Sequence, residues 1–191
     1  MDALEAIRTR RSYGRLTEPA PDGEHLQQIL EAAAAAPDHG ELRPFRFTIL
    51  RGEGLTAFGE VLEEAYFRRC TERGQALVPA KAQKERTKLG RAPLVLVVSA
   101  VRGSTDKIPW VDQRDAAVAA AENVLLAAHA LGYGAMWRTG DPCNDDYVMK
   151  ALGLTPDDAI VGFIYIGSPY VGKVLLPKEP NLEGLVSEYG S

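Results

Sequence analysis

The most constraining feature of the sequence is the run AAVAAAENVLLAAHAL at 116–131, in which small and apolar residues dominate. This run predicts a helix over residues 111–132 that is apolar on almost every side. Glu122, Asn123 and His129 interrupt it, and it is too short to cross a bilayer, so we expect a buried helix with no membrane partner. Because a domain of this size has few ways to cover such a helix, we expect a homodimer in which two copies of it pack across a two-fold axis.

Four segments predict strands, and two of them consist almost wholly of apolar residues. PLVLVVSAV (93–101) and AIVGFIYIG (159–167) have the composition of strands that are buried on both faces. FRFTILR (45–51) alternates as a half-buried strand does, and GAMWRT (134–139) is a shorter strand. Since helices alternate with these strands, we expect a single α+β domain over residues 1–191, built as three α/β/α layers.

The first helix is predicted to open with a capping box at Asp2 and Glu5 and to direct Leu4 and Ile7 inward. A second helix begins at Asp22 and stops at Pro37, and a third, longer helix follows the strand at 45–51. A further helix is expected near 144–152. The inward stripe comprises Leu26, Ile29, Leu30 and Ala33 in the second helix, and Leu55, Phe58, Val61, Leu62, Ala65 and Tyr66 in the third.

Two segments, residues 75–91 and the segment from Ser168 onward, lack a regular pattern of large apolar residues. Residues 75–91 predict a solvated helix or lid that bears Lys81, Lys84, Arg86, Lys88 and Arg91. If it is a lid, it could attract an anionic nicotinamide cofactor, although a solvated helix face is the simpler interpretation. The segment from Ser168 onward predicts an extended arm that could wrap a partner subunit.

The N-terminus, the cysteines and the histidines indicate the location, the redox state and the metal content to expect. The N-terminus has no apolar stretch of the secretory type, so we expect a cytoplasmic protein. Cys70 and Cys143 share no close spacing and are expected to be free thiols. The three histidines are far apart and show no metal-ligand spacing, so no metal is expected.

The segment RTRRSYGR (8–15) holds four arginines in a chain of formal net charge −4. Such cations near a helix C-terminus can simply complement the helix dipole. However, arginine binds phosphate oxygens bidentately, and Ser12 adds a hydroxyl donor, so a phosphate ester is a natural partner. Neither GxxxxGK[ST] nor a complete GxGxxG is present, and an acidic chain with one basic cluster lacks the extended basic face of a nucleic-acid-binding protein.

Four segments, in order along the chain, resemble the nitroreductase family of flavin oxidoreductases. RRSYGRL resembles the arginine and serine segment that opens these proteins, and APDHGELRPFRF resembles their polar turn before a strand. AAAENVLLAAHALGYGAMW is similar to their central dimer helix with its glycine-rich turn, and AIVGFIYIGSP to their last core strand. The chain is most similar to a compact subgroup of NAD(P)H nitroreductases.

This resemblance implies an intertwined homodimer with a central, mostly antiparallel sheet, which binds two FMN molecules at the dimer interface between residues of both chains. It implies that Arg10, Arg11 and Ser12 hold the FMN phosphate and ribityl chain. It further implies that the flavin contacts Ala35, Pro37, His39, Trp137, Arg138 and Thr139.

Other roles stay open for several of these residues. His39 could be an exposed turn residue, Trp137 could be plain core, and Arg138 could pair with Asp141. The chain also departs from the family pattern, since Arg43 stands where a glutamine is common.

The implied function is transfer of hydride from NADH or NADPH, through FMN, to a small electron-poor acceptor such as a nitroaromatic, quinone or enone. The flavin would carry the chemistry, so no catalytic side chain is predicted. One alternative is a flavin-storing or flavin-modifying protein of the same fold. Another is a non-enzymatic dimeric module that binds an acidic partner through its arginine cluster.

Overall fold

The structure, a computed structural model, describes residues 1–105, 107–170, 175–176 and 179–190. The helices in these ranges are α1 (Ala3–Thr9), α2 (Gly23–Ala34), α3 (Glu53–Glu72), α4 (Pro79–Thr87), α5 (Trp110–Ala130) and α6 (Asp146–Ala151). The strands are β1 (Leu16–Thr17), β2 (Phe45–Arg51), β3 (Leu94–Ala100), β4 (Gly134–Arg138) and β5 (Ala159–Pro169). Every predicted helix and strand is present, and β1 is an addition too short for any periodicity to indicate.

These strands form one antiparallel sheet. β3 lies between β2, where Phe45 is opposite Ala100, and β5, where Leu94 is opposite Ile166. The other edge of β5 pairs first with β4 and then, towards its end, with β1. The mostly antiparallel sheet implied by the sequence is therefore confirmed.

Helices cover both faces of this sheet. Leu94 and Leu96 of β3 pack with α2 and α5, whereas Val95 and Val97 pack with α3 and α6 on the opposite face. Each large apolar side chain buried in this way stabilises the fold by about 1.5–3 kcal/mol. The predicted three-layer α/β/α arrangement, with residues 93–101 in its centre, is confirmed.

The expected inward face of α1 is wrong. Asp2 caps the helix, because its carboxylate accepts the N–H of Glu5 at 2.9 Å, but Leu4 and Ile7 are 70% and 56% exposed. The small Ala6 is the buried residue of α1. An apolar stripe faces inward only where another element of the same chain lies against it, and here Ile7 instead borders an open apolar groove that continues along α5 to Leu126.

The helix α5 has an apolar side that its own chain does not cover. Ala117, Ala120 and Ala121 are fully buried against the sheet and α2, whereas Val111 is 56% exposed and Leu126 is partly exposed. One face of the helix that most constrains the fold is thus partly exposed in the single chain.

The segment 75–91 is less solvated than expected. Its helix α4 buries Ala82, and Leu89 just beyond it is 1% exposed. The backbone of Arg86 lies so close to Gly59 of α3 that a Cβ on this glycine would come within 2.1 Å of the Arg86 carbonyl oxygen. Close backbone contact, which the low hydrophobicity of the segment does not reveal, therefore fixes α4 on α3.

Part of the predicted C-terminal arm is described. Leu182, Leu185 and Val186 are each at least 65% exposed and make no strand or helix. Lys173 and Lys178, the basic residues of the arm, lie outside the described residues. No helix in the described ranges is long and apolar enough to cross a membrane.

Candidate functional site

The arginine segment (Arg10–Ser12) leaves the end of α1 and runs along the outer edge of β4. Ser12 forms a parallel β-bridge with Ala135, and the N–H of Tyr13 donates to the Ala135 carbonyl at 3.1 Å. The structure therefore brings Ser12 next to Ala135, which lies two residues before Trp137 in β4. We call residues 137–139 the β4 end. Sequence separation gives no hint of this proximity, because over a hundred residues lie between the two segments.

Arg11 is held by backbone carbonyls and not by carboxylates. Its Nε donates to the carbonyl of Leu176 at 2.8 Å, and its Nη1 donates to the carbonyls of Arg8 and Arg10. Its Nη2 is buried and has no hydrogen-bond partner among the residues that the structure describes. A buried donor without a partner costs about 1–3 kcal/mol, and more when it is charged, so this nitrogen is suited to an anionic ligand.

Arg10 adds a second cation beside Arg11. Its Nε lies 3.6 Å from Oε1 of Glu122 on α5, and its Nη1 lies 3.5 Å from Oγ of Ser12. Because the Glu122 side chain is 45% exposed, water screens this ion pair and it is weak. Arg10 therefore remains able to bind a stronger anion.

The titration of His129 reports the charge around these arginines. His129 lies on α5, with Nε2 at 2.8 Å from Oγ1 of Thr9. Burial lowers the pKa of His129, and the positive charges of Arg10 and Arg11 lower it further. His129 therefore lies close enough to Arg10 and Arg11 for their charges to affect its pKa.

Trp137 is fixed by a bulge in β5. Its indole N–H donates to the carbonyl of Val161 at 3.2 Å, and its ring packs on the α5 side of the sheet. A Cβ on the next residue, Gly162, would lie 2.1 Å from the indole nitrogen. The glycine thus makes the space that Trp137 occupies, and through Trp137 it positions the β4 end.

Arg138 points to the other face of the sheet. Its guanidinium lies over the ring of Tyr165, 5.7 Å from the centroid, and the suggested partner Asp141 instead lies 4.0 Å from Arg69. Arg138 and the exposed Thr139 border a cavity of about 200 Å³ between the sheet and α4. The pairing of Arg138 with Asp141 considered in the sequence analysis is therefore wrong.

The turn group (Ala35, Pro37 and His39) lies in the segment between α2 and β2. Ala35 follows α2 and borders the groove that contains Leu126, and Pro37 is exposed. His39 is also exposed, and its Nδ1 lies 3.1 Å from Oδ2 of Asp112 in the first turn of α5. Throughout the described ranges, no hydrogen bond or ion pair links the turn group to the arginine segment or to the β4 end of the same chain.

The sequence analysis did not name Asp112, and it named Glu122, Lys84, Lys88 and Arg91 only as parts of a helix or lid. Asp112 and Glu122 belong to α5, and their acidity within an apolar helix was the available signal. Lys84, Lys88 and Arg91 border the cavity beside Arg138. Their spacing of four and three residues, which places side chains on one side of a helix, could have indicated a shared site.

The two cysteines are free and buried, as expected. Burial raises the pKa of the Cys143 thiol to about 11. This thiol is therefore protonated at neutral pH, and it is not poised to act as a nucleophile.

Comparison with known proteins adds to this geometry. The model of the "Nitroreductase family" matches residues 7–168 of the chain. A protein of Escherichia coli (strain K12), named "Putative NAD(P)H nitroreductase YdjA", is 39% identical over 169 residues, which cover 88% of this chain and 89% of the relative.

Solved structures show the same fold. The "Nitroreductase-like Family Protein from Bacillus cereus" superposes with a TM-score of 0.80 at 20% identity and covers 100% of this chain and 97% of its own. A protein from Desulfovibrio desulfuricans, described as a "putative nitroreductase in complex with fmn", has a TM-score of 0.71 at 28% identity, with 98% of this chain and 96% of that chain covered. The fold that the sequence implied is confirmed.

Proposed function

The chain belongs to the nitroreductase family, and from this premise we propose that it is an FMN-dependent oxidoreductase that takes electrons from NADH or NADPH and delivers them to a small electron-poor acceptor. The observation that carries the proposal is Arg11, whose buried Nη2 lacks a partner among the described residues. The phosphate of FMN would provide the missing hydrogen-bond acceptor.

The arginine segment fits the phosphate end of FMN. Arg10 and Arg11 contribute guanidinium groups from adjacent positions of the chain, and Ser12 adds a hydroxyl donor on the same stretch. Guanidinium groups bind phosphate oxygens through paired, charge-assisted hydrogen bonds. Burial lowers the pKa of the nearby His129, and the positive charges of Arg10 and Arg11 lower it further.

The β4 end fits the ring system of the cofactor. Past Ala135, the outer edge of β4 pairs with no other strand in the described part of the chain, so the peptide groups of residues 137–139 are available to a ligand. Trp137 holds this edge in place through its hydrogen bond to Val161. When bound, FMN would supply two-electron transfer from a reduced nicotinamide to an acceptor.

We propose that the turn group completes the site of a partner subunit. In one chain, His39 is anchored at Asp112 and the arginine segment at Glu122, ten residues further along α5 (122 − 112 = 10). At a rise of about 1.5 Å per residue, these anchors lie roughly 15 Å apart. A two-fold axis that crosses α5 midway between them would place the turn group of one protomer near the arginine segment of the other.

Exposed apolar surface supports such a homodimer. Ile7 on α1 and Val111 on α5 are each 56% exposed, and Leu185 in the C-terminal arm is 75% exposed. Apolar surface of this kind on neighbouring elements is typical of an interface. An arm with exposed leucines is suited to lie across a second copy.

His39 would contribute a polar contact to the flavin site. The carboxylate of Asp112 accepts a hydrogen bond when Nδ1 of His39 is protonated, which orients the ring. Nε2 is then left to interact with a ligand. The role of Asp112 is to position His39.

The visible spectrum of the purified protein tests the proposal. We expect a yellow protein, or one that becomes yellow on addition of FMN, with one flavin per chain. Under anaerobic conditions, NADH or NADPH should bleach the flavin, and an acceptor such as a quinone should restore the colour in full.

Other results would favour the alternatives. A flavin that NADH and NADPH do not reduce would indicate storage, and flavin absorbance that is lost over repeated cycles would indicate flavin modification. A protein that stays colourless with excess FMN would contradict every flavin-based function and leave the interaction module.

A further inference from the structure

A second cationic site lies between the sheet and α4, on the opposite face from α5. Here the cavity of about 200 Å³ is bounded by α3, α4, the β4 end and β5. Four cationic side chains and one carboxylate border it, namely Lys84, Lys88, Arg91, Arg138 and Glu85.

The ion pairs around the cavity leave it positively charged. Nζ of Lys88 lies 2.6 Å from Oε2 of Glu85, and both side chains are about four-fifths buried. Because their charges are opposite, this pair adds no net charge to the cavity. Within the described ranges, Lys84, Arg91 and Arg138 have no carboxylate within 4.0 Å. Three cations therefore border the cavity without a counter-charge.

Arg86 shows that this absence of counter-charge is local. It belongs to the same helix α4, and its two terminal nitrogens lie 2.6 and 2.9 Å from carboxylate oxygens of Glu60 and Glu63. The outer side of α4 is thus paired with α3, whereas the side towards the cavity is not. Such an arrangement is typical of a binding site and not of a uniformly solvated helix.

Apart from Thr139, the rest of the cavity wall is apolar or aromatic. Leu62 and Phe163 contribute to it, and Tyr165 is 4% exposed. Burial raises the pKa of Tyr165 to about 12, against the opposing effect of Arg138 and Arg91, so the phenol is neutral at physiological pH. An anionic group attached to a flat apolar body matches this combination of cations and aromatic wall.

The position of the cavity connects it to the flavin. Arg138 and Thr139 belong both to the cavity wall and to the β4 end that we place along the ring system. Its volume of about 200 Å³ is below the range of roughly 300–1,000 Å³ that is usual for drug-sized ligands. It therefore has room for one substituted ring or one acidic group and not for a dinucleotide.

From these observations we propose that the electron acceptor is an aromatic acid, whose carboxylate binds between Lys84, Arg91 and Arg138 while its electron-poor ring reaches the flavin. This inference rests on the proposed function and narrows its substrate class. A phosphate of the reduced nicotinamide is the other possible source of an anion, and the experiment separates the two.

The kinetic test uses two probes that differ only in charge, 4-nitrobenzoate and the neutral 4-nitrobenzamide. We expect the wild-type holoprotein to have the lower KM for the acid. In the double variant Lys84→Gln with Arg91→Gln, the ratio of the two KM values should shift by about tenfold against the acid, because charge-assisted hydrogen bonds are lost.

The matched control is Lys81→Gln. Lys81 lies on the same helix and its replacement removes the same charge, but it does not border the cavity. This variant should keep the wild-type ratio. An equal shift in Lys81→Gln would show that general attraction to a basic surface, and not the cavity, selects the acid, and it would overturn the proposal.

The rate of flavin reduction distinguishes an anion of the acceptor from a phosphate of the reduced nicotinamide cofactor. The anaerobic rate of flavin reduction by NADPH, relative to NADH, should be the same in the wild type and the double variant. A selective loss with NADPH and no change in the probe ratio would place the adenosine 2′-phosphate of NADPH in the cavity and overturn the acceptor assignment.

Binding of benzoate, compared with benzamide, gives a readout that needs no turnover. Calorimetric titration of the purified protein should show benzoate binding that the double variant weakens by about tenfold and Lys81→Gln leaves unchanged. If the protein binds no FMN, the proposed function fails whereas this titration still tests the cavity. If flavin is reduced normally but benzoate and benzamide bind alike, only the cavity proposal fails.

Discussion

The arginine segment and the helix α4 are both rich in cations, yet their cations have different surroundings. Arg11 is surrounded by backbone carbonyls and keeps one buried nitrogen without a partner in the described residues, whereas Arg86 of α4 lies between Glu60 and Glu63. On the side of α4 that faces the cavity, Lys84 likewise has no carboxylate within 4.0 Å among the described residues. The density of positive charge along a sequence therefore does not identify an anion site.

Whether a cation in this protein is available to an anionic ligand depends on whether a carboxylate of the same chain lies close to it. A cation that lies between two close carboxylates, as Arg86 does, joins two elements of the fold, although each such exposed pair contributes only about 0.2–1 kcal/mol. A buried cation held only by neutral groups has a strong interaction still to make, and that interaction is available to a ligand.

The largest effect is expected from Arg11→Ala. Loss of its charge-assisted hydrogen bonds should weaken FMN binding at least tenfold, measured as the dissociation constant in a flavin fluorescence titration. Arg10→Ala should act in the same direction. The matched control is Arg86→Ala, which removes a paired arginine and should leave FMN affinity unchanged; equal losses in Arg11→Ala and Arg86→Ala would contradict the distinction between the two regions.

An effect of comparable size is expected from Gly59→Ala, which separates α4 from α3. The added Cβ would lie 2.1 Å from the carbonyl oxygen of Arg86, so the two backbones must move apart. Overpacking of this kind costs about 1–3 kcal/mol of unfolding free energy, which urea denaturation measures. Gly54→Ala, at a position of the same helix where a Cβ meets nothing within 4 Å, is the control. No loss of stability in Gly59→Ala would show that α4 is not fixed on α3 in this way.

Arg86→Ala should lower stability modestly. Its ion pairs with Glu60 and Glu63 are partly exposed, and pairs of this kind contribute about 0.2–1 kcal/mol each. The change should shrink at high salt, because exposed charges are screened. Arg73→Ala, which removes an exposed arginine at the end of α3, provides the comparison; a larger loss in Arg73→Ala than in Arg86→Ala would go against the assigned pairing.

The smallest effect concerns the pH dependence near the arginine segment. Because the pKa of His129 is lowered in the folded protein, the unfolded chain binds more protons as pH falls below about 6.5, so this residue contributes a loss of stability on the acidic side. A bound phosphate should raise the pKa of His129 by offsetting Arg10 and Arg11. An NMR titration with and without FMN measures the change, which should disappear in Arg11→Ala; a pKa of His129 that FMN leaves unaltered would place the phosphate elsewhere.

Much of the fold could be predicted from the sequence, and less of the site. The strand at 45–51 matches β2 residue for residue, and the apolar run at 93–101 lies in the middle of the sheet. The roles of Arg10, Arg11 and Ser12 came from a resemblance and stay predictions, although the structure pairs Ser12 with Ala135 in the strand that carries Trp137 and Arg138. The positions of Leu4 and Ile7 were not predictable, because a short apolar stripe does not say whether its own chain or another molecule will cover it.

The sequence by itself determined where helices and strands form, since hydrophobic period, capping residues and chain-breaking residues act over a few positions. It also determined, by resemblance, the family and the kind of cofactor to expect. Only the tertiary structure decided which cations have partners: it placed Arg86 against Glu60 and Glu63, left Arg11 with a free nitrogen among the described residues, and enclosed Arg138 in a cavity with α4. The physical reason is that electrostatic pairing depends on distances of a few ångströms between residues that are far apart in the chain.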